Sequence, residues 1–208
     1  MTGQTFSIKF NLADLYKKNQ IEVINRNINW FTEDEAGGIY ISKGDGNGIA
    51  WIRGFEFSNG VIEVDIAGMD LTSKSFAGVA FHAVDKDTLD AVYFLPFNFQ
   101  QDDPEGKSKS VRYISLPEYT FTEFTEKFHG TNNNPEESAI KGNKWFHVRI
   151  VVRVPLVTVY VNGLKEPVLT VNKLNDRRDG RVGFLVGDRS DGYFANLKIS
   201  TNRQGKIR

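Results

Sequence analysis

The chain of 208 residues contains no cysteine, so thiol nucleophiles, thiolate metal ligands and disulfide staples are excluded together. It also lacks a charge excess: 26 Lys and Arg stand against 26 Asp and Glu. Nucleic acid is held by basic residues that displace counterions, and an anionic membrane by a polybasic patch, so neither partner is expected. No apolar run approaches the roughly 18 residues of a membrane-spanning helix. The opening MTGQTFSIKF has no apolar signal segment, which leaves two expectations for location: the cytoplasm, or a secreted or periplasmic form already processed. The three histidines have no HExxH or paired spacing, so no zinc site is expected. Gly-x-Ser-x-Gly is missing, and with it the hydrolase nucleophile elbow. There is no internal repeat and no alternation of strands with helices.

What is present points to β-structure. Sixteen Phe and nineteen Gly suit an aromatic core with many turns. The clearest stretch is Trp145–Gly163, WFHVRIVVRVPLVTVYVNG. Phe146, Val148, Ile150, Val152 and Val154 fall on one face, and Trp145, His147, Arg149, Val151 and Arg153 on the other, the mark of a half-buried strand. After Pro155 the pattern restarts with Val157, Val159 and Val161, and Asn162-Gly163 then tolerates the positive φ of a turn. Similar alternation predicts strands at 5–12, 61–67, 111–116 and 193–200. The stretch 76–84 is apolar on both faces and predicts a central strand, covered from both sides or lining a cleft, and 91–99 predicts another strongly apolar strand. Residues 13–19 predict a single turn, and Phe121, Phe124 and Phe128 a short amphipathic helix. Gly44-Asp45-Gly46-Asn47-Gly48 predicts a sharp reversal rather than a phosphate loop, because no helix follows it. About a dozen strands at short spacing predict an all-β, antiparallel two-sheet sandwich or jelly roll, as one domain over 1–208.

Four residues are candidates for catalysis. Glu63 and Asp65 project from one face of a strand with Cα atoms roughly 6–7 Å apart. Glycosidase carboxyl pairs sit about 5–5.5 Å apart for retention and about 6.5–9.5 Å for inversion, so either use is open. The other reading is a solvated strand face whose acids pair with Arg149 and Arg153. His82 lies in an apolar run, as a core histidine bonded to backbone would, and His129 at the end of the predicted helix. His147 alone stands among polar and aromatic groups. Calcium is the one cofactor left open, at the acidic turns 85–90 and 188–192, although neither carries a full calcium-loop ligand set. Carbohydrate is the expected partner. Sugar rings need aromatic platforms beside hydrogen-bonding groups, and Trp145, Tyr93, Tyr113 and Phe97 stand next to His147, Asn98 and Arg112. With Arg149, these eight form the expected ligand-binding set.

The succession GVIEVDIAG, FAGVAFHAVD, DAVYFLPFNF, VRYISLPEY, WFHVRIVVRVPLVTVYVNG and GYFANLKI resembles the laminin-G-like, concanavalin A-like jelly roll. It is most similar to the bacterial 3-keto-disaccharide hydrolase domain family, whose members are often labelled glycosyl hydrolases, over about Gly54 to Ile199. The resemblance implies two sheets of about six strands each, one of them concave and facing carbohydrate. It also leaves three functions open: a carbohydrate-binding module, an active glycosidase on 3-keto-glycosides, and a protein-interaction domain working through loops 100–110 or 131–144. Two departures bear on activity. Concanavalin-like glucanases carry Glu-x-Asp-x-x-Glu, whereas Gly68 stands where the last acid belongs after Glu63 and Asp65. Related sequences read Tyr-Phe-Arg-Pro-Phe, whereas this chain has Leu95 within Tyr93-Phe94-Leu95-Pro96-Phe97.

Overall fold

The computed structural model describes residues 6–33, 36–68, 76–96, 98, 110–120, 140 and 144–201. Alternating stretches become strands because one side of each can be buried while the backbone pairs laterally. Eight strands make one sheet. From one edge its order is β12 (Leu169–Asn172), β11 (Leu156–Val161), β10 (Phe146–Arg153), β6 (Gly60–Ala67), β14 (Gly192–Thr201), β4 (Ala36–Ile41) and β3 (Ile28–Glu33), and β1 (Phe6–Phe10) also pairs with β14. Six strands make the other: β2 (Ile21–Ile24), β5 (Gly48–Phe57), β13 (Gly180–Val186), β7 (Ala77–Ala83), β8 (Asp90–Phe94) and β9 (Val111–Ser115). All pairings are antiparallel, giving a two-sheet jelly roll with eight and six strands where about six in each were expected.

The inner faces form one core. Ile62, Val64 and Ile66 of β6 and Phe146, Val148, Ile150 and Val152 of β10 meet Val79 and Phe81 of β7 and Val92 and Phe94 of β8. Phe94 and Phe146 bridge the sheets with centroids 5.6 Å apart, and Phe184 and Phe194 do so at 4.5 Å. Each such side chain contributes about 1.5–3 kcal/mol by leaving water. This burial fixes the register: Phe146 stands opposite Ile66, His147 opposite Asp65 and Arg149 opposite Glu63. A one-residue slip would turn the charged row into the core.

Two local features matter for the sites. Strand β14 pairs with β4 over 192–194 and with β1 over 197–201, and between them Asn196 adopts φ 55° at a shift in register with β6. This β-bulge re-aims the side chain of Asn196 outward. Residues 13–19 are not a single turn. Helix α1 (Leu12–Lys17) begins one residue earlier, capped by Asn11, whose side chain accepts the Asp14 N–H at 3.0 Å. Leu12 and Ala13 are buried, and Leu15 and Tyr16 pack against the core, so a short apolar face suffices to seat it.

Candidate functional site

The fold divides the expected ligand-binding set between opposite faces of the sandwich. Tyr93 and Arg112 lie on the outer face of the six-stranded sheet, directly opposite each other in the β8–β9 register. Trp145, His147 and Arg149 belong to the outer face of the eight-stranded sheet. The core stands between the two groups. Asn98 is buried just past β8, its N–H donating to the Leu95 carbonyl at 3.0 Å. Phe97, His129, the predicted helix at Phe121–Phe128 and the two long loops lie outside the described residues, except for Ser110, Ile140 and Lys144.

On the six-stranded sheet the outer face is itself apolar. Trp51, Ala80, Ala91, Tyr93, Ile114 and Leu185 form a second buried cluster, which explains why β7 reads as apolar on both sides and β8 as strongly apolar. Beside it opens a cleft of about 420 Å³, lined by Phe76, Tyr93, Ile114 and Leu116 and faced by Asn47, Asp188 and Arg189. Burial raises the pKa of the Tyr93 hydroxyl and lowers that of the Arg112 guanidinium. The polar wall is built by the Gly44–Gly48 loop. Arg26 threads it, donating to the carbonyls of Asp45 at 3.1 Å, of Gly187 at 3.1 Å, and of Asn25 and Gly46. Asp188 accepts the Gly46 N–H at 2.6 Å, and the Arg189 N–H donates to Gly44 at 2.8 Å, with Arg189 at φ 55°. The chain thus holds an arginine and an asparagine over an aromatic floor.

Tyr113 and His82, two expected candidates, belong to neither face. Tyr113 is fully buried on the core side, and its hydroxyl donates to Asp90, leaving nothing to offer a ligand. Burial, together with Asp90, raises its pKa. Asp90 also accepts from Lys173 at 2.7 Å and from Asn175 at 2.7 Å. His82 Nε2 donates to the Ser58 carbonyl at 2.6 Å, and its Nδ1 accepts from Lys173 at 2.8 Å, which requires the neutral ring. Burial, then the charge of Lys173, lowers the His82 pKa to about 4. This network ties β12 to β7, β8 and β9 across the sandwich, and its Lys173 and Asp90 side chains are closed to solvent.

On the eight-stranded sheet Glu63 and Asp65 are paired, but not with the expected arginines. Glu63 takes Lys198 at 2.8 Å; Asp65 takes His147 Nδ1 at 2.6 Å and Asn196 at 2.6 Å. Arg149 lies over the Tyr160 ring at 5.2 Å, and Arg153 stands at the hairpin turn opposite Leu156. Neighbouring strands on both sides of β6 supply the partners, so the pairing could not be assigned from the β10 sequence alone. Tyr193, Asn196 and Lys198 escaped the sequence reading because the bulge breaks the alternation of β14, and Lys9 because β1 meets β14 only through a pairing across the length of the chain. Arg26 and Arg189 escaped it because their roles come from backbone carbonyls far along the chain. Among the described residues no group of three or more His, Asp or Glu side chains converges as a metal site would. In the two acidic turns, Asp85 accepts the Asp87 N–H at 2.9 Å and Asp191 accepts from Tyr40 at 2.9 Å.

Several solved structures share this architecture. A Bacillus subtilis protein of unknown function with a galectin-like fold is 12% identical, with a TM-score of 0.59 over 97% of this chain and 96% of its own. A native glycosidic hydrolase is 11% identical, with a TM-score of 0.54 over 99% of each chain. The exoplasmic/lumenal domain of VIP36, in its Ca2+/Man3GlcNAc-bound form, is 8% identical, with a TM-score of 0.51 over 91% of this chain and 86% of that one. At such identities the likeness defines the class: a galectin-like jelly roll. No curated protein sequence matches the chain. The chain belongs to the 3-keto-alpha-glucoside-1,2-lyase-like domain family, whose model matches residues 15–200.

Proposed function

We propose that this protein is a carbohydrate-binding jelly roll that holds a saccharide in the cleft on the outer face of the six-stranded sheet. The observation that carries the reading is the aromatic floor of Phe76 and Tyr93 set against Asn47, Asp188 and Arg189 around one opening. A pyranose ring has an apolar C–H face and a rim of hydroxyls, so it binds where an aromatic ring meets a few fixed donors and acceptors. The cleft volume, about 420 Å³, is within the range of small-ligand sites. The saccharide held by VIP36 and the glucoside in the family description both support a sugar as the ligand class.

The family description favours a second reading, cleavage of a 3-keto-glucoside. A ketone at C3 acidifies the C2 hydrogen; a base removes that proton, a C1=C2 double bond forms as the C1–O bond breaks, and the aglycone oxygen leaves with the bonding pair and takes up a proton from water. Asp188 is the carboxylate lining the cleft.

Calorimetric titration with neutral oligosaccharides and with 3-keto-glucosides tests both readings. The first predicts saturable binding that weakens about tenfold in Arg189→Ala, a loss of about 1.4 kcal/mol. The Arg189 side chain is largely exposed and its ion pair with Asp45 lies at the surface, so its truncation is expected to cost the fold little. Absence of binding to every glycan sinks the proposal. Release of aglycone that stops in Asp188→Asn establishes the second reading; binding without turnover leaves the first.

A further inference from the structure

The opposite face of the sandwich carries another set of groups suited to a sugar. Trp145 and Tyr193 are 40% and 38% exposed, their ring centroids 6.3 Å apart, and Phe31 packs 6.0 Å from the one and 5.9 Å from the other. His147 follows Trp145 on the same face of the strand, roughly 7 Å along. There the surface drops into a groove of about 590 Å³, lined by Glu63, Asp65, His147, Asn196, Lys198 and Lys9 among others. The groove lies where β14 exchanges β4 for β1, so the sheet is split at the bulge. Its wall at Gly37 is bare, and a Cβ there would fall 1.9 Å from the Asn11 side-chain oxygen.

The hydrogen-bonding inventory of this groove is incomplete in a specific way. Glu63 Oε2 takes Lys198, while Oε1 has no hydrogen-bond partner among the described residues. His147 Nδ1 is engaged by Asp65 at 2.6 Å, which leaves Nε2 as the ring nitrogen turned to the groove. Nε2 and Oε1 face each other at 3.9 Å, beyond hydrogen-bonding distance. Two adjacent polar atoms with no hydrogen bond between them suit two vicinal hydroxyls, because a hydroxyl can donate to the carboxylate oxygen and can donate to or accept from the ring nitrogen. On the other wall Lys9 stands opposite Lys198 in register and has no ion-pair partner among the described residues. Directly opposed like charges weaken a sheet; Glu63 offsets Lys198, and Lys9 is the cation left facing the groove. Lys9 and Lys198 cancel Glu63 and Asp65, so the groove favours an uncharged ligand.

We propose that the outer face of the eight-stranded sheet is a second saccharide site, for a neutral oligosaccharide. One ring lies against Trp145 and Tyr193, and the next places vicinal hydroxyls on His147 Nε2 and Glu63 Oε1 with Lys9 donating from the far wall. A protein partner would instead need an apolar centre ringed by polar groups, whereas here the aromatic strip lies to one side of a charged groove.

The three tryptophans separate this site from the cleft. Trp51 packs in the cluster with Tyr93, Trp145 borders the groove, and Trp30 lies under Lys17 at 3.7 Å. Their indole N–H signals are followed by NMR during titration with maltotetraose, cellotetraose and mannotriose. At least one probe shifts the Trp145 signal, equally in the wild type and in Arg189→Ala. Tyr193→Ala and Glu63→Gln each weaken that response about tenfold. The second site is overturned if Trp51 responds and Trp145 does not, which leaves the cleft reading standing. It is also overturned if no probe moves Trp145, or if both variants bind as tightly as the wild type.

Discussion

His82 combines a left-handed backbone, φ 48°, with a fully buried ring. Few side chains tolerate that backbone, and the ring must stay neutral to accept from Lys173 while donating to Ser58. Its pKa falls from 6.5 to about 4 on folding. Between those values the unfolded chain binds a proton that the folded chain refuses. The stabilisation is therefore complete above pH 6.5 and is lost as pH falls towards 4, by roughly 3–4 kcal/mol in all. Urea unfolding across this window should show a steeper loss in the wild type than in His82→Asn, since Asn also tolerates the left-handed region. Equal slopes would remove His82 as the cause. The apolar neighbours of His82 allowed a core histidine bonded to backbone, beside its candidacy for catalysis. The sequence could not show Lys173 as the partner, since that contact spans 91 residues.

The Gly44–Gly48 loop earns its glycines by wrapping an arginine. At Gly48 an added Cβ would lie 2.1 Å from Arg26 Cγ, inside a side chain fixed at its far end by four carbonyls. Gly48→Ala should therefore displace Arg26, destabilise the protein by roughly 1–3 kcal/mol and weaken saccharide binding in the cleft, because Asn47 and Arg189 hang on the same loop. Denaturant midpoints and calorimetry read the two effects together. A stable Gly48→Ala variant with unchanged affinity would show that the loop does not set the cleft wall. The sequence indicated a reversal here and no more, because Arg26 reaches as far as Gly187, 161 residues on. In contrast, β10 was legible in full: its alternation is local, and the structure buries Phe146, Val148, Ile150 and Val152 while turning His147 and Arg149 outward.

For the molecule as a whole, strand periodicity and turn chemistry were enough to indicate an antiparallel jelly roll. Which sheet each strand joins was not legible, and the site depends on that. Tyr93 and Trp145 look equally suited to a sugar in sequence, yet β8 and β10 lie in different sheets, so the core separates them. Charges follow the same rule. Glu63 and Asp65 find Lys198 and Asn196 only because β14 runs beside β6, and Asn196 faces outward only because a bulge resets the alternation. The central claim is that the six-stranded face holds a saccharide in its cleft, and the most direct measurement is the position of a bound oligosaccharide in a crystal of the complex. The account predicts a ring against Phe76 and Tyr93 with its hydroxyls within hydrogen-bonding distance of Arg189 and Asn47. A saccharide bound beside Trp145 while the cleft stays empty would contradict it.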